Sequence, residues 1–271
     1  MKRAAFIESI EARLRESEAA ILAQWAKPEG TQTRHFYIDA LLPQECCRAI
    51  YDAFLRDSEG FVQGQSFREK KRTSADLSSR APILGEITYA LQDESIVNAI
   101  ASLIGFKNIY PDPQLYAGGL SMMFKGDYLN PHIDNSHDSK RQRYRRLNAL
   151  YYVAPDWKLE NGGNLELWNE DCTIPKPIEA KCNRLVVMET NKTSWHSVSK
   201  VMIESPRCCV SNYYFSPESP DASNYFHVTS FTGRPDQPVR RAVGIVDNAL
   251  RNIASKTLGL GRGKNLMNEK K

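Results

Sequence analysis

Short apolar or alternating segments, closely spaced between Gly, Pro, Asn and Asp residues, constrain the middle of this chain more than any other feature. They lie in residues 112–217 and read QLYAGGLSMMF, LNALYYVA, GGNLELW, RLVVMET and CCVSNYYF. Strand-length runs separated by turn residues at this spacing are typical of an all-β sandwich or barrel. The sequence therefore predicts a β core over residues 112–217, within a mainly β fold that has flanking helices (α+β).

Helical patterns dominate the sequence before this β core. Apolar residues recur at spacings of three and four in residues 4–25 and 84–106, as expected for one buried helix face. Between them, residues 35–42 have the texture of a strand, and Pro43 can open a further helix from its first turn. The polar, Gly-containing stretch at residues 60–80 is predicted to be a surface loop.

The C-terminal end of the chain carries the excess of positive charge. The whole chain has 36 Lys or Arg and 32 Asp or Glu, a net charge of +4, whereas residues 234–271 alone carry +6. Apolar residues step by three and four from Val239, which predicts an amphipathic helix with basic flanks. Such a helix can dock on the core or lie on an anionic membrane surface. No aromatic residue is interleaved with the basic ones, so a specific nucleic-acid partner is not expected.

These patterns divide the chain into three parts. They are an N-terminal helical region that packs on the core (1–111), the β core (112–217) and a basic, partly helical C-terminal extension (218–271).

No apolar run approaches the roughly 20 residues of a membrane-spanning helix, and charges interrupt the N-terminus where a secretory signal would be apolar. The six cysteines include no CxxC pair, which favours reduced thiols over a disulfide framework or a zinc site. We therefore expect a cytoplasmic protein.

A pair of potential metal ligands lies in the segment NPHIDN. In an extended segment His132 and Asp134 point to the same face, so both can bind one ion. Such a pair also arises by chance, and it equally suits a loop carboxylate bonded to a histidine. His196, which follows the predicted strand RLVVMET, is the best candidate for a third ligand. Two histidines and one carboxylate leave metal positions open, as in non-haem Fe(II) oxygenases, although they also suit catalytic zinc.

Arg207 opens the apolar run RCCVSNYYF, eleven residues after His196. At a strand end it is either a charge that faces solvent or a clamp for an anion, because a guanidinium binds a carboxylate through two parallel hydrogen bonds. Cys209, Ser211 and Tyr213 share its face of the predicted strand by alternation.

Together these motifs resemble the Fe(II)/2-oxoglutarate-dependent dioxygenases, and most of all their prolyl 4-hydroxylase-like branch. The resemblance rests on the order and spacing of His132-Ile133-Asp134, LNALYYVAPDW (147–157), GGNLELW (162–168), the strand leading to His196, and the run that Arg207 opens. It covers residues 112–217 and implies a double-stranded β-helix, the cupin-like jelly-roll.

The resemblance also implies roles for particular residues. The Fe(II) ligands that it implies are His132, Asp134 and His196. The co-substrate 2-oxoglutarate is expected to chelate the iron, with its far carboxylate on Arg207. Tyr152 matches a position whose phenol commonly helps to hold that carboxylate, and Asn148 shares its face by alternation, so both are expected to face the co-substrate. O₂ is the second co-substrate, and ascorbate is implied as a reductant.

Two positions depart from the family's pattern. Cys209 stands where many relatives have a serine, and Phe124 stands where relatives often have a tyrosine. Each change removes a polar group near the co-substrate and leaves the iron ligands intact. Asp134 is present, whereas halogenating relatives lack this carboxylate, so hydroxylation is the favoured reaction.

The segment KRQRYRR, residues 140–146, has five basic residues in seven and follows the metal motif directly. Its simplest interpretation is a solvated surface loop, and His137 just before it is interpreted in the same way. Alternatively, the local positive field attracts an anionic substrate to the mouth of the site. The substrate is expected to be a small molecule, a sugar or a peptide.

The functional prediction is a 2-oxoglutarate-dependent Fe(II) dioxygenase that hydroxylates an unactivated C–H bond and releases succinate and CO₂. The alternative is a jelly-roll protein that binds a metal or a sugar without oxygenase activity, which leaves Arg207 beside Tyr152 unexplained. A zinc hydrolase is a weaker alternative, since the sequence has no HExxH motif. Resemblance in the barrel does not identify the substrate, so proline is not assumed as a target.

Overall fold

The structure is a computed structural model, and the residues that it describes are 1–116, 118–221, 223–239, 241 and 244. Five α-helices lie in the N-terminal part of the chain: α1 (Arg3–Glu16), α2 (Glu18–Ala26), α3 (Gln44–Arg56), α4 (Pro82–Ala90) and α5 (Glu94–Leu103). The helical pattern of residues 4–25 thus becomes two helices that meet at Ser17. The helix predicted from Val239 lies almost entirely outside the described residues.

Twelve strands form one curled antiparallel sheet within the described residues. The strands are β1 (His35–Asp39), β2 (Val62–Gln65), β3 (Glu69–Ser74), β4 (Gly119–Met123), β5 (Tyr128–Ile133), β6 (Tyr144–Tyr152), β7 (Leu165–Trp168), β8 (Pro175–Ile178), β9 (Arg184–Glu189), β10 (His196–Val198), β11 (Arg207–Ser216) and β12 (Ser230–Phe231). Their order is β1-β9-β6-β11-β4-β3-β5-β10-β7-β8, with β2 on β3 and β12 on β5. The many non-consecutive neighbours mean that the chain crosses repeatedly from one half of the sheet to the other, which encloses a space between them.

The surface loop predicted over residues 60–80 is wrong, because this stretch contains the β2–β3 hairpin. Strand β3 pairs with β4 through Arg72–Ser74 and with β5 through Glu69 and Lys70. Charged side chains of β3 form ion pairs with residues that are close in space, as Lys70 does with Asp127. The pairing partners lie about 50 residues away in sequence, so the polar composition of the hairpin gave no sign of them.

The sheet also extends beyond the predicted β core at both ends. Strand β1 pairs with β9 along His35–Asp39, as an outer strand of the sheet order. Strand β12, in the C-terminal extension, pairs with β5 so that Phe231 lies opposite His132. The N-terminal region therefore contributes three strands as well as five helices, and the extension contributes one.

One hydrophobic core joins the helices to the sheet. Helix α4 contacts β11 and helix α2 contacts β1, which places the helical layer against the half of the sheet around β11, β6 and β9. Buried side chains from both layers, among them Ile10 of α1 and Val187 of β9, belong to the same cluster. Among the described residues, no helix is both long enough and apolar enough to cross a membrane.

Candidate metal centre and co-substrate cavity

The structure brings the three predicted metal ligands together. Residues His132 and His196 are direct partners in the pairing of β5 with β10, and Asp134 follows β5 at once. The Nε2 atom of His132 lies 3.6 Å from Asp134 Oδ1, and the Nε2 atom of His196 lies 3.5 Å from Asp134 Oδ2. One potential ligand atom from each residue lies within 4.8 Å of the other two, and no other such group occurs among the described residues.

Both histidines are oriented with Nε2 towards this centre. The Nδ1 atom of His132 is 3.0 Å from the carbonyl oxygen of Asn130, and that of His196 is 2.9 Å from the carbonyl oxygen of Ser194. A carbonyl can only accept, so each Nδ1 carries the proton and each Nε2 has its lone pair free for a metal. Burial, followed by the neighbouring His196, holds the pKa of His132 below its ordinary value. The imidazole of His132 is thus neutral near pH 7, the form that binds a metal.

Two side chains of β6 hold the Asp134 carboxylate. Asn148 donates from Nδ2 to Oδ2 over 2.7 Å, and the Arg145 guanidinium lies 3.2 Å from the same oxygen. Burial opposes ionisation of this carboxyl, but the charge of Arg145 and the adjacent His132 and His196 hold its pKa well below the ordinary value. Asp134 is therefore an anion with a fixed orientation.

Arg145 is a site residue that sequence reasoning missed. Its side chain is 1% exposed, stacks on the Tyr213 ring at 4.0 Å and donates to Asn135 Oδ1 over 2.9 Å. The register between β6 and β11 shifts here, because Tyr214 is opposite Leu147 but Phe215 is opposite Arg145. This irregularity reverses the alternation, so Arg145 shares the inner face with Asn148. Strict alternation would have placed Arg145 outside.

The metal ligands lie in the wall of a partly open cavity of about 100 Å³. Arg207, at the start of β11, lines the same cavity and is 4% exposed. Its guanidinium stacks on the Tyr152 ring at 4.7 Å, and its Nη1 atom lies 3.7 Å from Met123 Sδ. No carboxylate of the described residues pairs with Arg207. The solvent-facing interpretation of Arg207 is thus wrong, and the guanidinium is a buried cation without an anion.

A glycine pair lets the chain approach Arg207 closely. Gly162 and Gly163 both have positive φ, +68° and +64°. A Cβ on Gly163 would lie 3.2 Å from Arg207 Cδ and 3.2 Å from the Trp157 ring. Any other residue would combine a strained backbone with a crowded contact, so this turn positions the Arg207 side chain.

Several buried polar atoms around the cavity have no hydrogen-bond partner. They are Arg207 Nε, Asn148 Oδ1 and Arg145 Nε in its wall, and Tyr152 Oη. Tyr152 packs against Arg207 but is not itself a lining residue, so it does not face the cavity as predicted. Such atoms are rare in native proteins, because each costs about 1–3 kcal/mol when it is left unpaired. Their number here fits a cavity that takes up a polar, anionic ligand such as 2-oxoglutarate. The two free imidazole nitrogens and the carboxylate fit Fe(II) in the same way.

The two departures from the family pattern have local explanations. Cys209 does not line the cavity, but Ser211, two residues further on the same face, does, and the Cys209 thiol lies 3.6 Å from its hydroxyl. Phe124 is turned towards Arg72, whose guanidinium lies 4.3 Å from the ring, and it is absent from the cavity wall. Ser211 therefore supplies a hydroxyl that Cys209 lacks.

Further wall residues come from outside the predicted β core. Glu69, Lys71 and Thr73 of β3 line the cavity, as do Thr229 and Phe231. The Phe231 ring stacks on His132 with centroids 5.1 Å apart. Neither β3 nor the segment 229–231 contains a recognisable motif. The side chains reach the site because β3 pairs with β4 and β5, and β12 pairs with β5.

The described end of the extension is docked on the sheet. Arg234 donates two hydrogen bonds, of 3.2 and 2.6 Å, to the Glu166 carboxylate of β7. Arg241 donates to the carbonyl oxygens of Cys172 and Asp171. These contacts fit the docked interpretation of the extension for the residues that the structure describes.

The basic segment 140–146 is divided between solvent and interior. Lys140, Arg141 and Arg143 are exposed, while Arg145 lies in the site. Arg146 packs on the Phe106 ring at 4.6 Å. The solvated-loop interpretation thus holds for only part of the segment. His137 is buried rather than solvated, with Nδ1 2.8 Å from the Ser136 hydroxyl.

The fold and the site define a class: an antiparallel sheet curled around a centre of two histidines and one carboxylate. Residues 118–215 match the model of the 2OG-Fe(II) oxygenase superfamily. This segment, which carries His132, Asp134, His196 and Arg207, is similar to that superfamily. The predicted family and the predicted double-stranded β-helix are confirmed.

Solved structures share the fold at low sequence identity. A prolyl-4-hydroxylase from Pseudomonas putida matches with a TM-score of 0.54 and 18% identity, over 74% of this chain and 99% of that chain. A prolyl hydroxylase from Trichoplax adhaerens, in complex with a hypoxia inducible factor oxygen degradation domain peptide fragment, matches with a TM-score of 0.56 and 17% identity, over 76% and 91% of the two chains. These identities establish a common fold.

A sequence relative matches over a shorter stretch. The prolyl 3-hydroxylase OGFOD1 of Mus musculus is 30% identical over 96 residues, which is 33% of this chain and 17% of that protein. The Xenopus laevis protein of the same name is 31% identical over 84 residues, 16% of its length. The matched segments therefore span less than a fifth of these relatives.

Replacing Asn148 by alanine is expected to weaken metal binding about 10- to 100-fold, the usual effect of removing a group that orients a metal ligand. The substitution removes the 2.7 Å hydrogen bond to Asp134. Mn(II) affinity measured by titration calorimetry checks this. Asn212→Ala is the matched control, because Asn212 is equally buried on β11 but bonds to Gln92. An equal loss in both variants would show that the effect is general destabilisation.

Proposed function

We propose that this protein is an Fe(II)- and 2-oxoglutarate-dependent dioxygenase that hydroxylates an unactivated C–H bond. The observation that carries the proposal is the buried, anion-free Arg207 in the same cavity as His132, Asp134 and His196. A jelly-roll that only bound a metal or a sugar would have no need of this cation. Burying a charge without a partner is costly, so its presence points to an anionic ligand.

The protein's own groups have separable tasks in this reaction. His132, Asp134 and His196 would hold Fe(II) and leave three positions open. Arg207 would pair with the far carboxylate of 2-oxoglutarate, with Tyr152 packed against the guanidinium. When bound, iron and 2-oxoglutarate supply the oxidation, in which O₂, 2-oxoglutarate and R–H give succinate, CO₂ and R–OH.

Apolar side chains complete the cavity wall. The residues that do so are Leu129, Leu150, Leu165, Val198 and Phe231. Partial shielding from bulk water strengthens the pairing between Arg207 and a carboxylate.

We further propose a peptidyl substrate, in which one side chain enters the cavity. The Trichoplax adhaerens structure holds a peptide fragment, and the mouse relative is a prolyl 3-hydroxylase, so prolyl peptides are the first substrates to test. The exposed Lys140, Arg141 and Arg143 favour peptides with acidic flanks. Free amino acids and anionic sugars represent the small-molecule alternative.

A spectroscopic titration tests the co-substrate proposal without knowledge of the substrate. Adding 2-oxoglutarate to the anaerobic Fe(II) protein is expected to produce the weak visible charge-transfer band of the iron chelate. Succinate has no 2-keto group and serves as the control that gives no band. If the wild-type protein shows no band at saturating 2-oxoglutarate, the dioxygenase proposal is wrong. Succinate release across the substrate panel then identifies the substrate class, with and without ascorbate.

The cytoplasmic location is also a proposal, supported by six cysteines that are all free thiols. Fluorescence microscopy of the tagged chain in its own cells tests this location.

Vesicle flotation with and without residues 234–271 tests whether the extension binds a membrane surface, and equal recovery would eliminate that interpretation.

A further inference from the structure

Two cysteines far from the metal centre meet between helix α3 and the sheet. Cys47 lies in the first turn of α3 and is completely buried, whereas Cys182 lies two residues before β9 and is partly exposed. Their Sγ atoms are 3.6 Å apart, although 135 residues separate them in sequence. A disulfide bond is about 2.05 Å long, so a local shift of roughly 1.5 Å would join the two sulfurs.

Hydrogen bonds hold the two segments in register around this sulfur pair. The Asn183 side chain accepts from the Leu42 N–H over 3.1 Å and donates to the Leu42 carbonyl oxygen over 2.7 Å. The Leu41 N–H donates to the Asn183 carbonyl oxygen. The residue after Cys182 is therefore bonded to the segment that leads into α3. The contact between the sulfurs is a fixed feature of the fold rather than a chance encounter of two mobile side chains.

The two thiols differ in the direction of their pKa shifts and in their exposure to solvent, as expected of an attacking and a resolving cysteine. Hydrogen bonds from Cys47 and Gln44 hold the pKa of Cys182 below its ordinary value, although burial opposes this. The hydrogen bond to Cys182, together with burial, raises the pKa of Cys47. Cys182 is the partly exposed thiol that a dissolved reagent meets first, and the buried Cys47 is the resolving thiol.

We propose that Cys47 and Cys182 form a thiol–disulfide modification site that a small-molecule disulfide oxidises. The Cys182 thiolate attacks one sulfur of the reagent RS–SR, which forms a mixed disulfide and releases RS⁻. The Cys47 thiol then loses its proton and attacks Cys182 Sγ, which releases the second RS⁻. In sum, two protein thiols and RS–SR give one protein disulfide and two RSH, so atoms and electrons balance.

The disulfide would tie the N-terminal helices to the sheet. It closes a loop of more than 130 residues, which removes much chain entropy from the unfolded state. Neither sulfur lines the metal cavity, so the bond is expected to raise the melting temperature and to leave metal affinity unchanged. This site is independent of the proposed oxygenase function.

Peptide mapping after oxidation tests the proposal. The metal-loaded full-length chain is incubated anaerobically with oxidised glutathione and digested with trypsin. Peptide 35–48, which contains Cys46 and Cys47, is expected to be linked to peptide 182–184, with a mass 2 Da below the sum of the two peptides. Cys46→Ser is the matched control and should form the same link, because Cys46 Sγ faces Met1 instead. The link and the rise in melting temperature should be lost in Cys182→Ser and in Cys47→Ala.

Three outcomes would overturn the proposal. One is a stable glutathione adduct on Cys182 that never passes to Cys47. Another is a link through Cys46, seen as loss of the cross-linked peptide in Cys46→Ser. The third is oxidation of other cysteines while Cys47 and Cys182 stay reduced. Using both Cys182→Ser and Cys47→Ala keeps the test valid if the buried substitution at Cys47 destabilises the fold.

Discussion

Replacing His196 by alanine is expected to abolish tight metal binding and, with it, all 2-oxoglutarate turnover. The substitution removes one of only three protein ligands, so the loss should exceed the roughly 10- to 100-fold seen when a group that merely supports a ligand is removed. The free Nε2 of His196 faces Asp134 at 3.5 Å and cannot be replaced by the neighbouring Ser194 or Ser197. Titration calorimetry with Mn(II), which binds without oxidation, measures the effect directly.

His137→Ala is the matched control for this substitution. His137 is also buried and lies only three residues from Asp134, but its ring packs on Tyr144 at 4.2 Å and its Nδ1 bonds to Ser136. It does not line the cavity, so its loss should leave Mn(II) affinity near the wild-type value. Unchanged affinity in His196→Ala, or an equal loss in His137→Ala, would remove His196 from the proposed ligand set.

Most of the site could be predicted because its residues lie in strands with readable patterns. Arg207 opens a regular apolar run, His196 follows another, and alternation along an extended segment places His132 and Asp134 on one face. The pairing of His132 with His196 follows from the antiparallel arrangement of β5 and β10. For these residues, local sequence and family resemblance carried the same information.

The residues that sequence reasoning missed depend on irregular or long-range structure. Arg145 lies inside only because the pairing of β6 with β11 shifts by one residue at Arg146. Lys71 and Phe231 reach the cavity because β3 and β12 pair with strands distant in sequence. A shift in register and a non-local pairing leave no periodic pattern in the chain, so these contacts could not be read from the sequence.

The contact between Cys47 and Cys182 is another feature that could not be predicted from the sequence. The sequence predicts reduced thiols at both positions, and nothing in the spacing of the two residues indicates that they touch. Their proximity results from the packing of α3 on the sheet and from the hydrogen bonds of Asn183. Tertiary packing thus created both the missed cavity wall and the candidate modification site.

Replacing Arg207 by alanine is expected to weaken 2-oxoglutarate binding while metal binding survives. Removing one partner of a buried, hydrogen-bonded ion pair costs about 2–5 kcal/mol, or about 30- to several thousand-fold in affinity. The anaerobic Fe(II) protein should then show no charge-transfer band at 2-oxoglutarate concentrations that saturate the wild type. Mn(II) affinity should stay within a fewfold of wild type, because Arg207 contacts Tyr152 and Met123 rather than the metal ligands.

Two further variants test which features of the Arg207 region bind the 2-oxoglutarate carboxylate. Arg207→Lys tests the guanidinium geometry, and Tyr152→Phe tests the neighbouring hydroxyl. Lysine keeps the charge but cannot form two parallel hydrogen bonds, so the affinity of this variant for 2-oxoglutarate should lie between those of the wild type and the alanine variant.

Tyr152→Phe keeps the ring against the guanidinium and removes a buried hydroxyl that has no hydrogen-bond partner of normal geometry among the described residues. If that hydroxyl binds the co-substrate, affinity falls without any change in metal binding. An Arg207→Ala variant with an undiminished band would instead mean that another cation of the cavity wall, such as Lys71 or Arg145, holds the carboxylate.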